Sequence, residues 1–215
     1  MSRRITAITA QKRRTDRCSV FLDDEFAFGL HQDVLLQSGI AVGDVLEEDQ
    51  IAALVALEER RAAKEKAIRL LAVRARSRRE LDRRLTLAHF SAPAREWAMQ
   101  ELDRLHYLDD LDFAIQFVKT RLITRPQGRF LMRQELAQKG VAEELIDKAL
   151  QAAYAEIPEA DLARQVARKR LRTLGEFQSP KTKKRIFDLL GRRGFAWEII
   201  QDIGENWQGL IDDID

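Results

Sequence analysis

Three apolar residues, Phe90, Val141 and Phe195, mark the same point in three successive stretches of the chain, 51 and then 54 positions apart. Five residues before them stand Leu85, Leu136 and Leu190, and nine before stand Leu81, Met132 and Ile186. Five residues after them come Arg95, Ile146 and Ile200, and twelve after come Leu102, Ala153 and Trp207. The column just before the anchors reads His89, Gly140, Gly194, the kind of residue that ends a helix in a turn. A unit of about fifty residues buries too little surface to stand alone, so such units are expected to pack against one another. Each unit reads as a basic helix, a second helix ending in the turn, and a third helix of mixed or acidic character.

The breaks between these helices carry their own signals. Ser77-Arg78-Arg79-Glu80 reads as a capping box, with Ser77 accepting from a first-turn N–H and Glu80 reaching back. Ser91-Ala92-Pro93 and Ser179-Pro180 place a cap and a proline at helix starts. Asp109 or Asp110 caps the helix that begins before Phe113, and Ile157-Pro158 separates two helices. Upstream, Leu54, Leu57, Ala63, Ala67, Leu70, Leu71 and Ala75 recur at helical spacing. Before about residue 50 the pattern differs. Ile5–Thr9, Cys18–Leu22 and Phe26–Leu30 read as strands, the last two joined by a hairpin at Asp23-Asp24. A short helix is expected at His31–Gln37, closed by Gly39, and a further strand at Ile40–Leu46. The expected fold is mainly α: three tandem three-helix repeats (59–110, 111–157 and 158–215) forming an elongated curved array, after a small β-rich module (1–58).

Charge is segregated along this order. The chain of 215 residues has 37 Lys and Arg against 35 Asp and Glu, a net of +2. Residues 60–84 hold eleven bases and three acids, and residues 161–193 again hold eleven and three. Residues 1–59 carry six bases and eleven acids, and residues 194–215 carry six acids and no base. The near-zero total therefore conceals two strongly basic blocks whose local fields decide the choice of partner. A single cysteine, Cys18, excludes an internal disulfide and reads as a small packing residue. With no long apolar run or signal peptide, a cytoplasmic, membrane-free and monomeric protein is expected.

Several of these stretches resemble one family. Leu70-Leu71 followed by Arg76-Ser77-Arg78-Arg79-Glu80-Leu81-Asp82-Arg83-Arg84-Leu85 resembles the first-repeat signature of RecX, the bacterial regulator of the RecA recombinase. Leu105-His106-Tyr107-Leu108-Asp109-Asp110, then Phe113-Ala114, is similar to that family's Gly-Tyr-Leu-Asp-Asp stretch. Arg133-Gln134-Glu135-Leu136-Ala137-Gln138-Lys139-Gly140-Val141 resembles its second-repeat helix and turn. Val20–Phe28 looks like the β-rich module of longer members. The sequence departs from the pattern at three points. His106 stands where Gly is usual, Leu87-Ala88-His89-Phe90 lacks the usual Lys-Gly, and Pro126-Gln127-Gly128-Arg129 looks like a rearranged Gly-Pro segment. The resemblance implies a non-enzymatic protein that binds in the helical groove of the RecA filament on single-stranded DNA. There it would bridge protomers and inhibit RecA ATP turnover, strand exchange and filament growth. The alternative is an autonomous DNA-binding helical repeat protein, for single or double strands, that reaches RecA only indirectly.

Partner contacts are expected from Arg78, Arg79, Arg83 and Arg84; from Arg129, Arg133 and Lys139; from Arg168, Lys169, Arg170 and Arg172; and from Lys181, Lys183, Lys184, Arg192 and Arg193. Against that stands ordinary pairing with neighbouring acids. Trp97, Trp197 and Trp207 could stack on bases, but core packing is the expected role. The histidines His31, His89 and His106 lack ligand spacing. Asp109, Asp110 and Asp112 admit a metal-dependent nuclease, although capping explains them more simply. No metal, cofactor or nucleotide-binding motif is expected. The acidic end, Asp212-Asp213-Ile214-Asp215, reads as a solvated tail or as a mask for a basic patch.

Overall fold

A computed structural model of the chain describes residues 2–12 and 14–213. Among these, the elements in order are strands β1 (Arg3–Gln11), β2 (Arg14–Leu22) and β3 (Glu25–His31), helix α1 (Gln32–Ser38), strand β4 (Val45–Leu46), and α2 (Glu48–Val73). There follow α3 (Arg78–Leu87), α4 (Ala92–Arg104), α5 (Asp110–Thr124), α6 (Arg129–Gln138) and α7 (Glu143–Glu156). The last are α8 (Glu159–Leu174), α9 (Pro180–Arg192), α10 (Trp197–Glu205) and α11 (Trp207–Asp212). The fold is mainly helical, with three three-helix domains behind a small antiparallel sheet. Ile214 and Asp215 of the expected acidic tail lie outside the described residues. The chain divides into two compact units. One runs through Arg74 and includes Leu81–Tyr107; the other takes Ala75–Glu80 and the described residues from Leu108 on.

In the first unit the sheet order is β3-β2-β1-β4. The β2–β3 hairpin turns at Asp23 and Asp24, with φ of 51° and 67°, as a two-residue turn of this hand requires. Alternation sends Val20, Leu22 and Leu30 to one face, where they meet Ile5, Val34, Leu46 and Leu54 in a core. The expected strand at Ile40–Leu46 shrinks to Val45 and Leu46, paired with Arg4 and Arg3. Gly43 at φ 102° and the Asp44 carboxylate accepting from Ala41 N–H make the rest a turn. α2 begins at Glu48 and passes through the expected boundary at 58 without a break. Its lower part lies on the sheet, and further along Ala63 packs with Ala94 and Ala98 of α4. These small side chains let the two helices approach closely. Within α2, Glu58 is buried and its carboxylate accepts from the Arg17 guanidinium and from His31 N–H.

The turn column of the sequence repeat has one geometry throughout. His89, Gly140 and Gly194 sit at φ of 63°, 79° and 73°. The next N–H, of Phe90, Val141 and Phe195, donates back to Leu85, Leu136 and Leu190 at 3.3, 3.2 and 3.2 Å. The turn residues themselves donate to Thr86, Ala137 and Gly191 at 2.9 Å each. This paired bond satisfies the carbonyls that a helix end leaves open. His106 adds the same turn at the end of α4, at φ 56°, so both departures from glycine adopt the glycine conformation. Leu85, Leu136, Leu190, Leu81, Met132 and Ile186 are all fully buried, as their spacing implies.

In the second unit, two short segments are clasped by these turns. Ser77 is buried and its hydroxyl donates to Lys139 C=O, while Gly128 N–H donates to Arg193 C=O at 2.8 Å. Ser77 and Gly128 each precede their own anchor, Phe90 and Val141, by thirteen residues. Lys139 and Arg193 each precede theirs, Val141 and Phe195, by two. Ser77 also accepts from Glu80 N–H at 3.1 Å, as the capping box requires, while the Glu80 carboxylate holds Arg76. The second clasp is tightened by Tyr154, whose hydroxyl donates to Gln127 C=O at 2.8 Å. Burial pushes the phenol pKa up, which keeps that donor protonated.

Two stability predictions follow from these contacts. A Cβ on Gly128 would lie 2.0 Å from the Gly194 carbonyl oxygen, where only backbone could yield. Gly128→Ala is expected to cost about 3 kcal/mol or more, and so to lower Tm by roughly 6–12 °C. Gly175→Ala meets open space at φ 69° and should cost only about 1–2 kcal/mol. Equal shifts of the two in scanning calorimetry would contradict the clasp. Glu58→Ala is expected to cost about 3–5 kcal/mol because it strands the Arg17 charge. Glu58→Leu combined with Arg17→Met should recover most of that loss by denaturant unfolding.

Candidate functional site

The structure sorts the sixteen expected contact residues by what already holds them. Arg79, Arg83 and Arg84 on α3 are exposed, with no carboxylate at ion-pair distance among the described residues. Arg78 is exposed too, and its backbone N–H donates to Asp110 Oδ1 at 2.7 Å. The stem of Arg79 lies across the α6 turn, its Cδ 2.1 Å from where a Gly140 Cβ would stand. That packing orients the side chain while leaving its charge in water.

The α6 set is internally committed. Arg129 pairs with Glu159 at 3.3 Å and lies 4.6 Å from the centre of the Tyr154 ring. Arg133 pairs with both Glu143 and Asp147. Lys139 is drawn over the Phe117 ring at 4.9 Å. The two Arg133 pairs are largely in water, where each is worth little, whereas the Glu159 carboxylate is mostly covered; all of these contacts occupy the charges.

α8 and α9 divide again. Arg168 meets Asp213 at 3.1 Å, so the described part of the acidic end touches the second basic block. Arg164, in the same block, pairs with Asp161 and Asp202. Lys183 turns inward. Its ammonium donates to Gly204 C=O at 2.6 Å and sits 5.8 and 5.5 Å from the Phe187 and Trp207 rings. Arg193 is half-buried and donates to Pro126 C=O at 3.2 Å. Arg172 is exposed. Lys169, Arg170, Lys181, Lys184 and Arg192 are exposed and, among the described residues, have no carboxylate at ion-pair distance.

The tryptophans separate in the same way. Trp97 packs beside Ala63 and Ala98 with the Lys64 ammonium 6.0 Å from its ring. Trp207 stacks edge-on to Phe187 and donates its indole N–H to Phe177 C=O at 3.1 Å. Trp197, by contrast, is 60% exposed, which corrects the expectation of core packing. It opens α10, one residue beyond the cap, so its ring projects outward while Ile200 and Ile203 take the buried face. With Lys184, Phe187, Asp188 and Arg192 it lines a shallow cleft of about 620 Å³. An exposed indole flanked by cations can contact a base or an apolar protein surface.

The acidic trio serves the backbone. Asp109 accepts from Leu111 and Asp112 N–H at 2.9 Å each, capping α5, and Asp110 holds Arg78 N–H. Among the described residues no three His, Cys, Asp or Glu side chains are placed to hold a metal ion. None of the described helices is long and apolar enough to cross a membrane. Sequence reasoning passed over Arg125, which follows α5 and shares a cleft with Lys169, Arg170 and Arg193. Nothing local marks it, because the other three cations are supplied from 44 to 68 positions away.

Comparison with known proteins covers most of the chain. Family models match the RecX N-terminal domain at residues 3–47 and the first three-helix domain at 63–102. They match the second three-helix domain at 109–150 and the third at 158–203. The regulatory protein RecX of Bacillus pumilus (strain SAFR-032) is 32% identical, over 91% of this chain and 74% of its own length. That of Clostridium botulinum (strain Alaska E43 / Type E3) is 28% identical, over 93% and 94%. A crystal structure of regulatory protein RecX superposes with a TM-score of 0.72 at 28% identity, covering 93% of this chain and 99% of that one. RecX from Lactobacillus salivarius shares the fold at 19% identity, with a TM-score of 0.63 over 71% of this chain and 98% of its own.

The placement of Trp197 is checked by fluorescence. Trp197→Phe should remove the most red-shifted and most acrylamide-quenchable part of the emission. Stability should change by less than about 0.5 kcal/mol, as for a surface substitution. A loss of several kcal/mol would mean that the ring is packed.

Proposed function

We propose, since the chain belongs to the RecX family of regulatory proteins, that it regulates RecA by binding the RecA filament on single-stranded DNA within its helical groove. Bound there, it bridges neighbouring protomers and inhibits ATP turnover, strand exchange and filament growth. One observation carries this reading beyond the family. Arg79, Arg83 and Arg84 in one basic block, and Lys169, Arg170, Lys181, Lys184 and Arg192 in the other, are exposed without a described carboxylate partner. A nucleoprotein filament offers phosphates and acidic side chains, and unpaired cations meet either without first breaking an internal pair. Inhibition requires the bound chain to favour the filament state that hydrolyses ATP more slowly, since a ligand shifts an equilibrium only by its differential affinity. The protein acts as a regulator and not as an enzyme.

The test is single-strand-dependent ATP hydrolysis by preformed RecA filaments, with this protein added well below the RecA concentration. Inhibition at such ratios is expected, weakening as salt rises. Turnover untouched at every ratio would refute the proposal, and inhibition only once DNA is saturated would favour the autonomous DNA binder. Arg79→Glu with Arg83→Glu, and separately Lys181→Glu with Lys184→Glu, should preserve helix content. At least one pair should raise the half-inhibitory concentration by about tenfold or more, the scale of two lost charge-assisted contacts. No change from either pair would remove these residues from the contact surface.

A further inference from the structure

In the second unit a cleft of about 320 Å³ opens where the end of α5 meets α8 and α9. Four cations line it: Arg125, Lys169, Arg170 and Arg193. No Asp or Glu is among its lining residues, and none of the four has an ion-pair partner among the described residues. By contrast, the neighbouring Arg129, Arg133, Arg164 and Arg168 each have a carboxylate.

The cleft is also built rather than incidental. Arg193 is held at both ends, its guanidinium donating to Pro126 C=O and its own carbonyl accepting from Gly128 N–H. Burial, and then the nearby Arg125 charge, push the Arg193 pKa down, yet a guanidinium keeps its proton. The two charges therefore repel in a partly desolvated place, and among the described residues no carboxylate is paired with either. A bound anion would supply that offset, and a planar guanidinium fork matches phosphate oxygens well. Ile123, 77% exposed, and Leu189 give the walls apolar surface for a sugar or a base edge. No aromatic side chain lines the cleft, so recognition there rests on the cations rather than on stacking against an aromatic ring.

We propose that this cleft binds the phosphodiester backbone of single-stranded DNA. A nucleoside polyphosphate fits less well, because no carboxylate lines the cleft to hold its magnesium ion and no glycine-rich loop wraps it. The assignment deepens the reading above, since it gives the DNA contact of that filament complex a location.

The experiment uses the full chain without RecA and a fluorescein-labelled oligodeoxythymidylate, followed by anisotropy across a salt series. Arg125→Ala with Arg170→Ala removes two exposed cations while sparing Arg193 and its clasp. The affinity should fall about tenfold or more at low salt. The slope of log K against log salt should flatten by about 1.4, or about 0.7 for each lost single-strand contact. Lys148→Ala, an exposed lysine on α7, should match the wild type. Unchanged affinity and slope in the double variant would overturn the assignment. So would a wild-type chain that ignores the oligonucleotide but binds ATP or an acidic peptide through Arg125 and Arg170. RecA inhibition measured in parallel separates the two proposals. If the double variant binds DNA as the wild type does while inhibition persists in the wild type, only the cleft assignment falls. Cleft-dependent DNA binding with no effect on RecA turnover would sink the filament reading and leave the cleft standing.

Discussion

The interaction on which most of the second unit depends is a hydrogen bond to a carbonyl at a helix-ending turn. Lys139 and Arg193 each offer that carbonyl one residue before a left-handed glycine, and Ser77 and Gly128 are the donors that reach it. The bond forms only if the chain can come very close, which is why Gly194 and Gly128 face each other without side chains. Once it forms, Pro126 and Gln127 are fixed against Arg193 and Tyr154. Leu136 and Leu190 then have a defined surface to bury against. A single steric allowance thus sets the register of several helices.

That arrangement also decides which charges remain available. The net charge of +2 combines many locally satisfied pairs with cations and acids that have no partner among the described residues. Arg133 between Glu143 and Asp147 and Arg129 on Glu159 belong to the first kind. Breaking such a pair to bind a partner returns little net energy, because one acidic neighbour is exchanged for another. Lys183 is half-buried and its ammonium is engaged by the Gly204 carbonyl and two rings. What is left is a narrower set of cations than either basic block suggests, and it includes a group that converges from three helices.

Much of this was legible in the sequence, and the exceptions have physical reasons. Helix periodicity, the hairpin at Asp23-Asp24 and the turn column depend on neighbours in the chain, so local pattern reveals them. The Glu58–Arg17 contact joins a helix to a strand 41 positions away, and nothing near either residue announces it. Arg125 could not be singled out because its partners in the cleft come from α8 and α9. Trp197 was expected inside on the strength of Trp207, which shares a repeat column with Leu102 and Ala153. Trp197 shares no such column, and its place at the start of α10 puts the ring outside. The strand expected at Ile40–Leu46 failed because its β-branched residues are interrupted by a glycine at positive φ.

The same turn is built with histidine at positions 89 and 106 and with glycine at positions 140 and 194. A side chain in the left-handed region costs about 1–2 kcal/mol that glycine does not. The first three-helix domain therefore holds conformational strain at both ends of α4, while the later turns hold none. Strain of this kind lowers the free energy of local opening, so the amides around Phe90 and Tyr107 would exchange with solvent ahead of those around Val141 and Phe195. Cooperative unfolding of the chain would then have a preferred starting point, set by the two histidines of these turns.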